Sequence, residues 1–496
     1  MYLGDLHNHC GISYGHGSLA DAYANAMLQL DFASVTGHAS WHDMPRDDPR
    51  LQSVVAFHDE GFQRLAKCWN EVQEITASVH DDGRFVSFLS FEWHSASAGD
   101  RCVYYKGSTG DLIYAQSLGE LHGELRARKA TGQEMLALPH HLAYRRGYRG
   151  VDWAQFSTEF APVAEIISMH GCAENDESAR PYLHVMGPRD GGSTAEAGLR
   201  LGHRFGFIGS TDHHSAHPGS FGYGRACLWA ERLDRDGLFA ALRARRTYAV
   251  TGDPILLATS LNGAVMGAIS PLTRRRELAV SVRALAPIES VEVIRSGAVI
   301  ERAAPPRRLL SATGAFAGTV PITLGWGHRR ERHRWEVSLA VKGGILEDVV
   351  PRLRGADVVM PEESPPDSHR VSAWGRSGAG GVWLTTETRG NVNVVTDNTQ
   401  GVVLRIRGDD RTVLSVGVGG TWHDYRIGTL REGTAAEYSA GLESPVCVVG
   451  RAVPDEELTL DLELNDEGDD PDWYYVRVRQ VNDQWAWSSP IWLAAG

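Results

Sequence analysis

Hydrophobic and polar positions follow one pattern up to about residue 255 and a different pattern after it. The first part contains short, continuous apolar runs at 2–6, 32–36, 85–91, 135–138, 163–168 and 205–210. Runs of this length predict strands that are buried on both faces. Apolar residues three and four positions apart predict helices over 18–30, 51–78 and 234–246. Alternating strands and helices predict a parallel α/β sheet or barrel.

After about residue 255 the apolar residues alternate with polar ones, as in VVLRIRG (402–408) and LTLDLEL (458–464). Period-two alternation between Gly-, Pro- and Asp-rich turns predicts an antiparallel β-sandwich-like domain. The chain is therefore predicted to divide into domains 1–255 and 256–496. The aromatic hairpin over 473–492 is expected to pack against the first domain, with a sugar-binding platform as the alternative.

Length, charge and cysteine content narrow the class of protein. A chain of 496 residues is too long for one compact core, and its formal net charge of −13 disfavours nucleic acid and anionic membranes as partners. No apolar run reaches membrane-spanning length, and the N-terminal MYLGDLHNH does not resemble a signal peptide. Six cysteines without a C-x-x-C pair suit a reducing compartment, so a cytoplasmic protein is expected.

Side chains that can ligate metal follow almost every apolar run of the first part. They are His7, His9, His38, Glu92, His140, His141, His170, Asp212 and His214. In a closed parallel barrel the carboxyl ends of the strands meet on one face, so these residues are expected to converge. Burying so many imidazoles and carboxylates together without a cation would be costly. The pattern therefore predicts a metal site.

Several of these motifs resemble a known family when they are taken together. GDLHNHCGISYGHGSLADAYANA, LDFASVTGH, FEWHS, LPHH and GSTDHH resemble the polymerase-and-histidinol-phosphatase (PHP) superfamily of metallohydrolases. EIISMHG, RRTYAVTGDPILL and the C-terminal YYVRVRQVNDQWAWSSPIW are similar to a poorly characterised PHP-like subfamily. The resemblance implies an α/β fold, a distorted seven-stranded (β/α)7 barrel with up to three metal ions.

The resemblance also implies a role for each matching residue. His7, His9, Glu92 and Asp212 would hold one ion, Glu92 and His140 a second, and His38 and His214 a third. This chain departs from the usual pattern at three positions: Tyr14 replaces a ligand for which His16 could substitute, Gly37 replaces an aspartate, and Asp100 replaces a histidine. Imidazole and carboxylate ligands suit two or three Mn²⁺, Zn²⁺ or Fe²⁺ ions.

The chemistry expected of such a site is hydrolysis of a phosphomonoester or phosphodiester by a metal-bound hydroxide. His170, His214 and Asp212 are the candidate catalytic residues, with one of the histidines protonating the leaving oxygen or orienting the nucleophile. Tyr144, Arg145, Arg146 and Arg101 are candidate contacts to a small, anionic substrate, because guanidinium groups match phosphate oxygens.

Two alternatives remain open from the sequence. The same chemistry would serve an amidohydrolase-like enzyme acting on an amide, lactone or other ester. That class usually has a lysine at a strand end, and no predicted strand here ends in one. The chain could instead be an inactive binding protein, which the departures at Tyr14 and Gly37 favour.

Overall fold

A computed structural model describes residues 1–178, 180, 187–306, 314–328, 331–356, 368–390, 397–440 and 444–495. Strands account for 41% and helices for 18% of the structure. The α-helices of the described part are α1 (Leu19–Ala26), α2 (Gln52–Ser78), α3 (Leu118–Ala130), α4 (Ala195–Arg200), α5 (Arg235–Arg243), α6 (Ile427–Glu432) and α7 (Asp455–Leu458).

The strands before residue 255 are short, and most of them are fully buried. They are β1 (Tyr2–Asp5), β2 (Phe32–Ala33), β3 (Gly37–Trp41), β4 (Val86–Ser87), β5 (Leu89–His94), β6 (Arg101–Tyr105), β7 (Met135–Pro139), β8 (Val163–Ser168), β9 (Gly171–Cys172), β10 (Gly206–Gly209), β11 (Arg225–Leu228) and β12 (Thr247–Val250).

The strands after residue 255 are longer, and many alternate buried and exposed positions. They are β13 (Leu256–Leu261), β14 (Ala264–Val265), β15 (Ile269–Pro271), β16 (Arg275–Arg283), β17 (Ile288–Arg295), β18 (Ala298–Ala303), β19 (Ala315–Gly325), β20 (Arg332–Lys342), β21 (Ile345–Arg352), β22 (Ala373–Arg376), β23 (Gly381–Arg389), β24 (Gln400–Asp409), β25 (Val413–Val418), β26 (Thr421–Arg426), β27 (Ala435–Tyr438), β28 (Val446–Val449), β29 (Val453–Pro454), β30 (Thr459–Glu467), β31 (Trp473–Gln480), β32 (Trp485–Ser488) and β33 (Ile491–Ala494).

These strands form six sheets in the described part of the chain. The largest has the order β15-β33-β31-β32-β12-β11-β1-β2-β4, with β17 and β18 branching from β31. Two smaller sheets from the first half have the orders β3-β5-β6-β7 and β10-β8-β9. The remaining sheets are β14-β13-β16-β30, β21-β24-β19-β28-β27 with β29 on β19, and β22-β23-β20-β25-β26.

The predicted (β/α)7 barrel, a TIM-like barrel within an α/β fold, is wrong. The chain is mostly β, and the strands of its first half are shared among three sheets. β1 pairs antiparallel with β11, and β6 pairs antiparallel with both β5 and β7. Only a turn joins β5 to β6, and one 3-10 turn (Trp153–Gln155) lies between β7 and β8. Buried apolar runs look alike in parallel and antiparallel sheets, which explains the error.

The sheet β21-β24-β19-β28-β27 and the sheet β22-β23-β20-β25-β26 share one hydrophobic core. Trp335 and Val337 from β20 pack with Val402 and Leu404 from β24 in the same cluster of buried side chains. Each strand directs alternate residues inward, as the period-two pattern of the sequence requires. No helix in the described ranges is long and apolar enough to cross a lipid bilayer.

The C-terminal strands continue the same sheet as the N-terminal strand. β32 pairs with β12, which pairs with β11, and β11 pairs with β1. Trp485, Trp487 and Trp492 are 6%, 1% and 4% exposed and share a core with Phe205 and Phe207. The eleven-stranded sheet therefore crosses the proposed boundary at residue 255, and the division into two domains stays a prediction.

Replacing Trp487 with alanine should lower the free energy of unfolding by about 3–5 kcal/mol, because a buried indole is removed from a packed core. Its Nε1 also donates to Glu174 Oε2 (2.9 Å). The measurement is a urea titration followed by circular dichroism. Trp422, which is 55% exposed, is the matched control, and Trp422→Ala should change stability by less than about 1 kcal/mol. Equal effects of the two substitutions would contradict this packing.

Candidate metal centre

The segments that follow β1 and β10 run side by side and carry the first group of candidate ligands. Asn8 pairs in parallel with His213. The His9 amide donates to the His213 carbonyl oxygen, and the Asp212 amide donates to the His7 carbonyl oxygen, both at 2.7 Å. Because side chains alternate along an extended segment, His7 and His9 project to the same side. Two distant parts of the chain are thereby joined by backbone hydrogen bonds.

His7, His9 and Asp212 direct their ligand atoms at one point. His7 Nε2 lies 3.1 Å from His9 Nε2. Asp212 Oδ1 lies 3.3 Å from the first of these nitrogens and 3.0 Å from the second. All three side chains are buried. Two imidazole nitrogens and a carboxylate oxygen that converge out of water are a suitable donor set for a divalent cation.

Glu92 joins this group to a second one. Its Oε1 lies 2.9 Å from His140 Nε2 and 3.1 Å from His94 Nδ1. Its Oε2 lies 3.4 Å from the Nε2 atoms of both His9 and His38, yet this buried oxygen makes no hydrogen bond. Native proteins seldom leave a buried carboxylate oxygen without a partner, so a cation beside Oε2 would complete its environment.

Several overlapping sets of buried side chains bring their ligand atoms within 4.8 Å of one another. Among the described residues the sets include His7–His9–Asp212, His9–His38–His214, His38–Glu92–His94, Glu92–Asp100–His140–His141 and His7–Cys102–His140. The chain therefore contains buried clusters of histidine and carboxylate side chains that could bind metal ions. We call these residues together the candidate metal centre.

Hydrogen bonds on the far side of the rings orient the histidines. His7 Nδ1 lies 2.9 Å from Glu165 Oε2, and His38 Nδ1 lies 2.7 Å from Ser13 Oγ. These partners leave the Nε2 atoms facing the cluster. Metal-binding histidines are held in the same way, with the second ring nitrogen bonded to a carboxylate, carbonyl or hydroxyl group.

The carboxylates and several histidines of the cluster have the protonation states that metal ligation requires, and two histidines do not. Burial raises the pKa of Glu92 and Asp212, but the surrounding histidines outweigh burial and hold both pKa values well below the usual range. Burial also holds the pKa of His38 and His141 well below the usual value, and it lowers the pKa of His214 to about 3. By contrast, Cys102 and neighbouring carboxylates outweigh burial and raise the pKa of His7 well above its usual value and that of His140 to about 10. Ionised carboxylates and neutral imidazoles are the forms that bind metal, so an ion bound here would displace a proton from His7 and from His140.

Of the remaining predicted ligands, His214 and Asp100 belong to the sets above. His214 Nδ1 lies 2.8 Å from the Asp212 carbonyl oxygen. The His16 amide donates to the His214 carbonyl oxygen (2.8 Å), and the His16 side chain is half-buried. Asp100 Oδ2 accepts a hydrogen bond from Arg149 Nε at 2.5 Å. Ligation by His16 and Asp100 stays a prediction.

The predicted catalytic His170 lies against Asp212. Its Nε2 is 2.9 Å from Asp212 Oδ2, and its Nδ1 is 3.1 Å from the hydroxyl oxygen of Tyr144. Tyr144, a predicted substrate contact, is fully buried. Its hydroxyl group therefore orients the His170 ring through the Nδ1 atom.

The three predicted substrate arginines differ in environment. Arg145 and Arg146 are exposed on the loop after β7. Arg101 is 1% exposed, and its guanidinium donates to the carbonyl oxygens of Ala98, Gly99 and Asp100. Here the structure differs from the sequence-based expectation, because Arg101 holds the turn before β6 and is shielded from solvent. Substrate binding by the exposed pair stays a prediction.

Two residues of the centre, His94 and Glu165, were not identified from the sequence. His94 lies two positions after Glu92 on β5, on the same side of the strand, and this spacing could have revealed it. Glu165 is an acidic residue inside the apolar run VAEIIS (163–168), which is also a signal. Arg149 belongs to the same arginine-containing loop as the candidate contacts Arg145 and Arg146, and nothing in the sequence marks it as the one that enters the centre.

Two departures from the expected ligand pattern have clear structural counterparts. Tyr14 stacks on His38 with ring centroids 3.4 Å apart, and its hydroxyl oxygen lies 3.2 Å from His94 Nε2. At Gly37 a Cβ atom would lie 2.5 Å from Leu65 Cδ1 on α2. A side chain at position 37 therefore fits only if the Leu65 side chain shifts.

Comparison with known proteins assigns no family. No family model and no solved structure matches the chain. An uncharacterized protein of Chlamydia pneumoniae is 23% identical over 274 residues, covering 51% of this chain and 44% of that protein. Uncharacterized proteins of Chlamydia muridarum and Chlamydia trachomatis are 29% and 28% identical over 187 and 186 residues, each covering 34% of this chain and 30% of the relative. The chain thus spans less than half the length of these curated relatives.

Adding Mn²⁺ or Zn²⁺ to metal-free protein should raise its melting temperature, because a ligand at a hundred times its Kd stabilises the folded state by about 2.7 kcal/mol. Glu92→Gln should remove most of this shift. Glu336→Gln, at a side chain that is 72% exposed, should keep all of it. A shift that is absent from the unmodified protein, or equal in Glu92→Gln, would contradict the candidate metal centre.

Proposed function

We propose that this chain is a divalent-metal-dependent hydrolase that cleaves phosphomonoesters or phosphodiesters. The observation that carries the proposal is the convergence of His7, His9 and Asp212 beside the unpartnered Oε2 atom of Glu92. The sequence motifs that resemble the PHP superfamily point to the same chemistry. The described residues do not form the barrel implied by that resemblance, so the proposal depends on the residues of the site.

The donor set suits two or three Mn²⁺, Zn²⁺ or Fe²⁺ ions. Bound ions of this kind supply Lewis-acid activation of water near neutral pH and neutralise charge on a phosphoryl oxygen. The protein contributes by holding the ligand side chains in fixed orientations. His7 is held by Glu165 and His38 by Ser13, so the imidazoles need little rearrangement when an ion binds.

His170 is the best placed group to move a proton at this site. It is hydrogen-bonded on one side to Asp212 and on the other to the hydroxyl group of Tyr144. To pass a proton from Nε2 to the leaving oxygen, the ring would give up its hydrogen bond to Asp212, while the Tyr144 hydroxyl group keeps the Nδ1 side in place. His214 is less suited to this role, because burial lowers its pKa to about 3 and its Nδ1 hydrogen bonds to the Asp212 carbonyl oxygen.

A small, anionic substrate is the ligand class that fits the surroundings of the centre. Arg145 and Arg146 are exposed on the loop that follows β7. One guanidinium group can donate hydrogen bonds to two phosphate oxygens at once. An amidohydrolase-like enzyme is less well supported. The chain has four lysines; Lys106 pairs with Glu134 (3.0 Å), and the other three, Lys67, Lys129 and Lys342, are exposed.

A panel of p-nitrophenyl phosphate, bis-p-nitrophenyl phosphate, p-nitrophenyl acetate and p-nitroacetanilide tests the proposal. With Mn²⁺ present, we expect release of p-nitrophenol from a phosphate ester, lost on addition of EDTA and lowered at least ~10²-fold in His9→Ala. Cleavage of only the acetate or the anilide would favour the amidohydrolase alternative. No turnover by fully metal-loaded protein would favour a binding protein.

Replacing His170 with asparagine should lower kcat by about 10²–10⁴-fold, the usual contribution of a proton-transfer group. The metal content should stay at the unmodified level, because a role in proton transfer leaves the ligands intact. His203, which stacks on Trp153, supplies the control variant His203→Asn with unchanged kcat. Full activity in His170→Asn would show that His170 does not transfer a proton in the reaction.

A further inference from the structure

Arg149 places a guanidinium group inside the candidate metal centre. Its Nε donates to Asp100 Oδ2 at 2.5 Å, while its Nη2 lies 2.6 Å from His94 Nδ1 and 3.7 Å from Glu92 Oε1. The side chain is 12% exposed, and its Cζ lies 5.1 Å from the centroid of the Trp41 ring. The cluster therefore contains a positive charge that belongs to the protein.

The backbone, not only the side chain, holds this group in place. Arg149 has φ +70°, a left-handed conformation that arginine adopts only when its surroundings impose it. Its amide donates to the Ala96 carbonyl oxygen (3.2 Å). A Cβ atom at Gly99 would lie 2.9 Å from Val151 Cα, so the loop that carries Arg149 packs tightly against the turn before β6.

The contacts of Arg149 use the atoms that a metal ion on this side would need. A guanidinium group only donates hydrogen bonds, so His94 Nδ1 contributes its lone pair to Arg149. Asp100 Oδ2 accepts from the same guanidinium, and Asp100 Oδ1 accepts from the Ser95 amide at 2.9 Å. A divalent cation bound to these atoms would also lie next to a like charge in a buried site, which is strongly unfavourable.

We propose that the guanidinium of Arg149 takes the place of a divalent cation on the side of the centre formed by Glu92 Oε1, His94 and Asp100. Metal ions are then held only by the opposite side, whose residues are His7, His9, His38, Asp212 and His214 with Glu92 Oε2. This inference rests on the proposed metal-dependent function. Asp100 is then the ion-pair partner of Arg149 and not a metal ligand. The protein therefore binds fewer metal ions than it would if every set of possible ligands held one.

The first test counts metal ions. Unmodified protein and variants are saturated with Mn²⁺ or Zn²⁺, passed through a desalting column, and analysed by inductively coupled plasma mass spectrometry. Arg149→Met should bind one more equivalent than unmodified protein, because the carboxylates and imidazole lose their resident cation. Arg149→Lys keeps the charge and should not gain one. Arg352→Met removes an arginine of similar exposure (15%) that pairs with Asp253 and should bind the unmodified number.

A second pair of variants keeps the inference testable if Arg149→Met does not fold. Asp100→Asn should retain the full number of metal ions, whereas Asp212→Asn should lose at least one. Loss of one equivalent in Asp100→Asn, or an unchanged count in folded Arg149→Met, would overturn the inference. Absence of metal from unmodified protein would instead overturn the candidate metal centre itself, so the two failures are distinguishable.

Discussion

The burial of Glu92 and Asp212 among imidazoles is the constraint around which the rest of this structure is arranged. A carboxylate removed from water is strongly destabilising unless opposite charge and hydrogen bonds replace its hydration. The neighbours within reach are histidines: burial favours the neutral form of His38 and His141, whereas Cys102 and the neighbouring carboxylates raise the pKa of His7 and His140. Neutral imidazoles offer lone pairs and little charge. Without a metal ion, the charge of the carboxylates is balanced by Arg149 and by protons on His7 and His140; bound metal ions would take the place of those protons.

Meeting this constraint requires rigid support from distant parts of the chain. The eleven-stranded sheet joins β1 through β11 and β12 to the C-terminal strand β32. Arg477 on β31 donates to both oxygens of Glu174 at 2.9 Å. Glu174 follows β9 and is 1% exposed, so a buried ion pair ties the C-terminal strands to the segment after His170. The β-rich second half thus supports the framework that positions the site.

Much of the local structure was predictable, but its assembly was not. The apolar runs at 163–168 and 135–138 match β8 and β7 within a residue, because continuous burial leaves a clear signal in sequence. A continuous apolar run does not indicate whether a strand pairs in parallel or antiparallel. Strands that form antiparallel pairs were therefore expected to form a parallel barrel. The convergence of His7, Glu92 and Asp212 could be anticipated because metal ligands at strand ends are conspicuous. The burial of Arg101 and the left-handed backbone of Arg149 depend on packing between loops, which no sequence pattern encodes.

The central claim is that His7, His9 and Asp212 together hold a divalent cation beside Glu92. The most direct measurement is anomalous diffraction at the manganese absorption edge from crystals grown with Mn²⁺. A peak is expected about 2.0–2.3 Å from His7 Nε2, His9 Nε2 and an oxygen of Asp212, the usual range for nitrogen and oxygen ligands of such ions. A map without a peak among these three side chains, from crystals in which they are well ordered, would contradict it.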